Sequence, residues 1–578
     1  MGGQRESTIE PIRRALAACR RHATSVALFS AIINILFLAP TIYMLQIYDR
    51  AVPTQSMTTL GFLTVLVVFA LAIMAVLDQL RARLLTRAGV RLDRELSPLI
   101  LAAALRGSAS PQSRQAMREF DSLRQLVSGP AFSAMCDLPW TPIYVFVCFL
   151  VHPWVGALAL VGLVLLPSLI WLHEKAAGPK LQEAQEVAAK SYVAQDQMLA
   201  ERDAVRALGM GPAMIERQLR LRDGMLERQT HASFSAGRYG GYSRFARMSL
   251  QSLGLGLGAW LAIHQEISAG AIFASTFLIS RALAPVEQLL GAWRGISQAR
   301  AGYASIVELL KSDAIAEQRT ALPAPIGAVQ VEQVGLQLGP EGPTILEDIS
   351  FAIPAGKALG VVGPSGAGKT SLLRLIAGIG APTAGTIRFD GADRQDWDAD
   401  LLARHVGLLP QDPSLFAGTV KENISRFDGA LGGDPEAIDA AAVQAAQRAG
   451  AHEFILRLPG GYDYPLAARG GNVSSGQAQR IALARALYGA PSILLLDEPN
   501  AHLDTEGDAT LLAALQKLKE EGVTIILVSH RLSVLPVIDA MLVLNGGKVH
   551  LFGPRDEVLP KITAPNVRQV HPQQQAQS

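Results

Sequence analysis

The run Gly363-Pro364-Ser365-Gly366-Ala367-Gly368-Lys369-Thr370 fits the phosphate-binding loop G-x-x-x-x-G-K-[ST] at every position. The apolar stretch 358–362 before it predicts a strand, and 371–377 after it a helix. In that setting the backbone N–H groups of the loop and of the helix start, Ser371 included, cradle phosphate oxygens. Lys369 reaches the β- and γ-phosphates, and Thr370 holds Mg²⁺. The plain alternative is a chance glycine-rich turn, which the flanking strand and helix argue against.

A second cluster follows Ile493-Leu494-Leu495-Leu496. Four apolar residues predict a buried parallel strand, and Asp497 and Glu498 stand at its C-terminal end, where open α/β sheets bind ligands. Asp497 suits the Mg²⁺ shell, and Glu498 suits a general base acting on water. Taken alone, such acids are more often a solvated strand end. Gln411 follows the apolar run 406–409, and His530 follows 523–529, in the same manner. Each is in reach of a γ-phosphate, or for Gln411 of Mg²⁺, if its strand lies beside the others. Each is also an ordinary loop residue otherwise. Ser474-Ser475-Gly476-Gln477 precede a predicted helix, 478–487, and form an anion site or a simple helix cap. If this start lies on the far side of its domain, it serves the nucleotide of a second subunit.

These residues need a sheet and helices to position them, and the sequence supplies them only after residue 321. There, strand-like and helix-like runs alternate up to 562, and a polar tail, 563–578, is predicted to be disordered. Residues 1–320 read differently. Of 578 residues, 49% are hydrophobic and 18% charged, and the mean hydropathy is +0.25. The apolar excess lies before residue 300, where it predicts six membrane spans at about 23–48, 55–77, 138–151, 155–173, 248–265 and 267–290. The third and fourth come from one uncharged run, 138–172, which Pro153 divides. Arg281 and Glu287 make the sixth the least apolar. Arginines 5, 13, 14, 20 and 21 put the N-terminus in the cytoplasm, as do Arg81, Arg83, Arg87, Arg91 and Arg94 for the next inner segment. The two long segments between spans predict helices extending into the cytoplasm, each turning midway, at 107–111 and 209–212. No signal peptide is expected. Cys19, Cys136 and Cys148 have no metal-binding or redox spacing. A net charge of +2 gives no reason to expect a nucleic-acid partner.

With these motifs in this order, the chain resembles the ATP-binding cassette exporters along its whole length. The loop 363–370 matches their Walker A motif, and Gln411 their Q-loop. Residues 473–477 (VSSGQ) match the family signature, usually LSGGQ. Asp497 and Glu498 match Walker B and its catalytic glutamate, 501–504 the D-loop, and His530 the switch histidine. The resemblance implies a six-span helical bundle with long cytoplasmic extensions, fused to an α/β P-loop cassette that hydrolyses ATP with Mg²⁺. It implies a homodimer in which Ser474, Ser475, Gly476 and Gln477 close the partner's nucleotide. It assigns Lys369, Gln411, Glu498 and His530 to catalysis, and Thr370, Gln411 and Asp497 to the metal.

The membrane half resembles a narrower branch, the type I protein-secretion exporters of Gram-negative bacteria, in the protease and lipase group. The runs 43–50 (YMLQIYDR), 137–142 (DLPWTP) and 281–285 (RALAP) carry that likeness. It implies an inner-membrane exporter of unfolded polypeptides with C-terminal signals, working with a periplasmic membrane-fusion adaptor and an outer-membrane channel amid membrane lipid. Export of a lipid or small amphiphile is the other reading. The chain departs from the pattern at Leu338, where such cassettes place an aromatic, at Ala468, where a glutamate is usual, and at Ser475, where the signature has glycine.

Overall fold

The computed structural model describes residues 12–563, apart from 13, 16, 107–110, 315–321, 340–341 and 468–471. The first cytoplasmic turn, the junction near 321, Ala468, Arg469 and the tail after 563 therefore lie outside the described residues. The chain divides into two compact units, Met1–Ala316 and Glu317–Ser578.

The first unit is helical. Helices α1 (Arg20–Leu36) and α2 (Leu38–Gln46) run into a π-helical turn, Ile47–Ala51. Then come α3 (Met57–Arg106), α4 (Pro111–Ser128), α5 (Pro130–Asp137) and α6 (Thr141–Val151). His152 is extended, and Pro153 opens α7 (Pro153–Ala200). The short α8 (Arg202–Ala207) makes the turn into α9 (Gly211–Ile263), and α10 (Ala269–Ala314) closes the unit. Helix α3 has 50 residues, or about 75 Å, far more than a bilayer requires. Its outer half shows Phe62, Val65, Leu66 and Phe69 on the surface, as a face turned to lipid does.

Among the described residues, five helical segments are long and apolar enough to cross a membrane: Arg20–Ala51, Met57–Arg106, Pro130–Val151, Pro153–Ala200 and Ala269–Trp293. The expected span at 248–265 is not among them. It is the last part of α9, and Ser249, Gln251, Ser252 and three glycines dilute its apolar content. The architecture is a multi-pass helical region joined to an α/β unit.

Two of the branch-specific runs, 137–142 and 281–285, meet at a buried polar hub. Asn34 of α1 is 1% exposed. Its Nδ2 donates to Asp137 Oδ1 at 2.8 Å, and its Oδ1 accepts from Tyr144 at 3.0 Å and Arg281 at 3.2 Å. Arg81 of α3 donates to both Asp137 oxygens and to Ser30 Oγ. The Arg281 guanidinium lies 3.3 Å from the centre of the Phe37 ring. At the other end of the first span, Asp49 accepts from Ser268 Oγ and Gly270 N, capping the start of α10, and Tyr48 stacks on Phe273.

The second unit is α/β. A four-stranded antiparallel sheet has the order β2 (Thr344–Ile353), β1 (Val329–Gln337), β4 (Ala384–Phe389), β5 (Ala392–Asp393). A six-stranded sheet has the order β12 (Lys548–Pro554), β11 (Ala540–Asn545), β3 (Ala358–Val362), β10 (Thr524–Val528), β9 (Ile493–Asp497), β6 (Val406–Leu409). The strands from β11 to β6 are parallel. Their residues are almost wholly buried, because helices cover one face and the helix Lys369–Ile376 together with the antiparallel sheet covers the other.

The hub generates a stability prediction. Asp137→Ala strips the buried carboxylate from Arg81, and removing one partner of such a pair costs on the order of 3 kcal/mol. In detergent the variant should melt at a clearly lower temperature. An unchanged midpoint would show that Ser30 and Asn34 hold the bundle without the ion pair.

Candidate nucleotide site

The parallel register brings the site together. Val528 of β10 pairs with Val361 of β3 and with Asp497 of β9, and Leu409 of β6 pairs with Leu496. The four strands end level, so the residues just beyond them share one edge.

Beyond β3 the chain turns through 363–368 into α11 (Lys369–Ile376). A Cβ on Gly363 would lie 2.1 Å from the Leu544 carbonyl oxygen. Gly368 has φ 92°, and a Cβ there would meet Leu346 at 2.5 Å. Only glycine allows the loop to pack this closely. Lys369 Nζ folds back and donates to the carbonyls of Gly363 and Pro364 at 2.8 and 2.9 Å. Burial pushes its pKa below the ordinary lysine value, while Glu498 and Asp497 pull the other way.

Asp497 is 3% exposed. Burial raises its pKa, opposed by a hydrogen bond from Thr370; Glu498 adds to the rise and Lys369 opposes it. Its Oδ1 is buried without a hydrogen-bond partner. A buried carboxylate oxygen lacking a donor, beside a threonine hydroxyl, is a donor set that suits a hard divalent cation.

Glu498 has a left-handed backbone, φ 49°. Such a residue costs on the order of 1–3 kcal/mol and persists where its surroundings impose it. Here they do. Its N–H donates to Val528 O at 2.9 Å. Gln479 Nε2 donates to Pro499 O at 2.5 Å and to Glu498 O at 3.3 Å, and its Oε1 accepts from His502 N. His530 Nε2 stands 3.4 Å from Glu498 Oε1.

One cavity of about 280 Å³ is lined by Ser365, Gly366, Ala367, Gly368, Lys369, Thr370, Ser371, Gln411, Glu498, His530 and Ile345. The structure thus gathers the loop with residues from three other strand ends. It does not bring in Ser474, Ser475, Gly476 or Gln477. Ser474 is the N-cap of α16 (Ser475–Leu487), and Ser474 and Gln477 cap each other's backbone N–H groups. For Ser474 and Gln477 the helix-cap reading is correct within one chain. Ser475 is exposed, on the first turn. Leu338 is exposed beyond β1 and does not line the cavity.

Sequence reasoning missed Ile345 and Gln479. Ile345 carries no distinguishing signal. Gln479 is 2% exposed, a polar residue among Ala478, Ile481 and Ala482, and that position could have marked it.

Residues 24–286 match the ABC transporter transmembrane region, and 346–501 match the ABC transporter family. The chain is 38% identical to the type I secretion system ATP-binding protein PrsD of Rhizobium meliloti, over 95% of this chain and 94% of that one. The chain belongs to the ABC transporters, with the type I secretion ATP-binding proteins as kin. It is 28% identical to the leukotoxin translocation ATP-binding protein LktB of Mannheimia haemolytica, over 92% of this chain and 75% of that one. The structure of a bacterial Atm1-family ABC exporter with ATP bound shares the fold, with a TM-score of 0.81 and 21% identity, over 95% and 97% of the two chains. This ABC transporter is therefore an ATP-binding, ATP-hydrolysing protein of the inner membrane, multi-pass, with its nucleotide-binding unit in the cytoplasm.

The buried carboxylate sets a pH dependence. A carboxyl whose folded pKa is raised binds its proton more readily when folded. Its charge therefore destabilises the fold at neutral pH, and the penalty fades as the pH falls through the folded value. Asp497→Asn should raise the melting temperature of the nucleotide-free protein at neutral pH, with a gain that shrinks toward acid. The same variant should lose the added stabilisation that Mg²⁺ gives together with ATP. Thermal-shift measurements across pH check both, and a lower neutral-pH midpoint would contradict the first.

Proposed function

We propose that this ABC transporter is the inner-membrane ATPase of a type I secretion system and exports unfolded polypeptides with C-terminal signals. The observation that carries this reading is the 38% identity to PrsD along almost the whole of both chains. In this reading the unit 1–320 crosses the membrane six times, the weakly apolar stretch 248–265 included, and 321–562 is the cassette. Two copies work as a homodimer with a periplasmic adaptor and an outer-membrane channel.

The site residues divide the work. Lys369 and the backbone N–H groups of Gly363 and residues 365–371 bind the β- and γ-phosphates of ATP, with Pro364 shaping the loop. Thr370, Gln411 and Asp497 are the residues that would hold Mg²⁺, which would neutralise charge on those phosphates. Glu498 accepts the proton of the attacking water. His530, already beside Glu498, orients it and contacts the γ-phosphate. Ser474, Ser475, Gly476 and Gln477 approach the nucleotide of the partner subunit, which explains why they stand outside the cavity of their own chain.

Glu498→Gln should bind ATP about as well as the parent and hydrolyse it at least ~10²-fold more slowly. Turnover within a factor of two of the parent would remove Glu498 from the general-base role. The cargo is tested by ATPase activity in lipid nanodiscs, titrated with C-terminal fragments of secreted proteins. A saturable response to such a fragment, absent in Lys369→Ala, is expected. A response to lipid or small amphiphiles alone would overturn the cargo assignment and leave the ATPase intact.

A further inference from the structure

The segment after Gln411 has no regular structure, yet it is held at several points. The Ser414 carbonyl accepts from Arg485 Nη2 at 3.0 Å. Asn423, wholly buried, accepts from Phe416 N and donates to Phe416 O, both at 2.9 Å. The Arg485 guanidinium lies 5.6 Å from the centre of the Phe416 ring, and Phe427 meets that ring edge-on.

Arg485 itself belongs to the last turn of α16, the helix that begins at Ser475. The end of this helix is gripped by Arg426. Its Nε donates to Arg485 O, its Nη2 to Ala486 O, and its Nη1 to Ala403 O. The first two are terminal helix carbonyls that lack intrahelical partners, and a cation there also complements the helix dipole. Ala403 lies in α12 (Ala399–His405), which leads directly into β6 and so to Gln411. Arg426 reaches these carbonyls from a left-handed backbone, φ 54°. Burial lowers the pKa of both guanidiniums, and for Arg485 the nearby Arg426 lowers it further. Arginine keeps its charge under such pressure where lysine often does not.

These bonds all end on backbone carbonyls, so they specify where segments lie. We propose that Arg485, braced by Arg426, is a positioning residue for ATP hydrolysis: it fixes Gln411 at the nucleotide cavity and ties that glutamine to the helix bearing Ser475. The same helix holds the Glu498 turn through Gln479. Displacement of α16 is thereby transmitted to Gln411 and Glu498 together. This rests on the reading of Gln411 as a residue of the hydrolytic site.

The test is a double-mutant cycle on the full-length protein in nanodiscs, reading kcat and the KM for ATP. Arg485→Gln should lower kcat about tenfold and leave KM within about twofold. Arg485→Lys, which keeps one donor, should recover part of the rate. In a Gln411→Ala background the Arg485→Gln effect should vanish. Additive losses with an impaired Gln411→Ala would overturn the inference, as would a raised KM with unchanged kcat. A Gln411→Ala variant with parental turnover would instead overturn the role of Gln411 itself. If Arg485→Gln fails to fold, Arg485→Lys and Phe416→Leu, which leaves the guanidinium donor in place, carry the same cycle with the same opposite outcomes.

Discussion

The level ends of the parallel strands β3, β10, β9 and β6 are the constraint on which the nucleotide site depends. Parallel strands are tied by evenly spaced bonds, so fixing one pair fixes the rest. Because Val361, Val528 and Asp497 stand side by side, the phosphate loop, His530 and Glu498 emerge at one edge. Slipping one strand by a single residue would turn its side chains to the other face. Close packing on both faces opposes that slip, for Leu494, Leu495, Leu496, Ile525, Ile526 and Leu527 are all fully buried. Residues that never touch a nucleotide therefore set the geometry of those that do.

A second constraint is that one helix serves several loops. Helix α16 carries an exposed serine at its start, Gln479 against the Glu498 turn, and Arg485 against the Gln411 segment. A 13-residue helix is stiff over this length, so its two ends cannot move independently. The helical unit uses a comparable device at Asn34. There one buried amide meets residues from α5, α6 and α10, while Arg81 of α3 reaches the shared Asp137. Polar groups buried this deeply cost stability unless all are paired, and pairing them fixes one register of the helices against each other.

The strands and the loop were legible in the sequence because their signals are local. Residues 358–362 and 406–409 are apolar runs of strand length, and a P-loop between strand and helix has few other uses. Lys369, Asp497 and Glu498 stood out by position relative to those runs, whereas Gln411 and His530 were singled out as functional only with the family resemblance added. The break at Pro153 was legible for the same reason: proline acts on its own turn of helix. What was not legible depends on distant partners. Nothing near Arg485 says that it will meet Ser414, 71 residues away, and Arg426 is in an irregular stretch. Asp137 and Arg281 stood out as parts of characteristic runs, but only the fold shows that both meet Asn34. The stretch 248–265 illustrates the opposite difficulty. Its apolar residues read as a span, but Ser249, Gln251, Ser252 and three glycines leave it outside the helices apolar enough to cross a membrane.

The departures from the family pattern bear on where nucleotide affinity resides. No aromatic stands between Val329 and Ile345, and Leu338 is exposed outside the cavity. Among the described residues, Ile345 is the one large apolar side chain lining that cavity. By contrast, its polar lining is rich in groups able to donate to an anion: the loop amides, Lys369 and the hydroxyls of Ser365, Thr370 and Ser371. Charge-assisted hydrogen bonds in a half-enclosed site are about twice as strong as neutral ones. A missing aromatic stack forgoes on the order of 1–3 kcal/mol per base. In the function proposed above, that balance places more of the nucleotide recognition on the phosphate chain than on a stacked base. The chemistry proposed for the site does not draw on the base, because Glu498 and His530 line the cavity beside the phosphate loop itself.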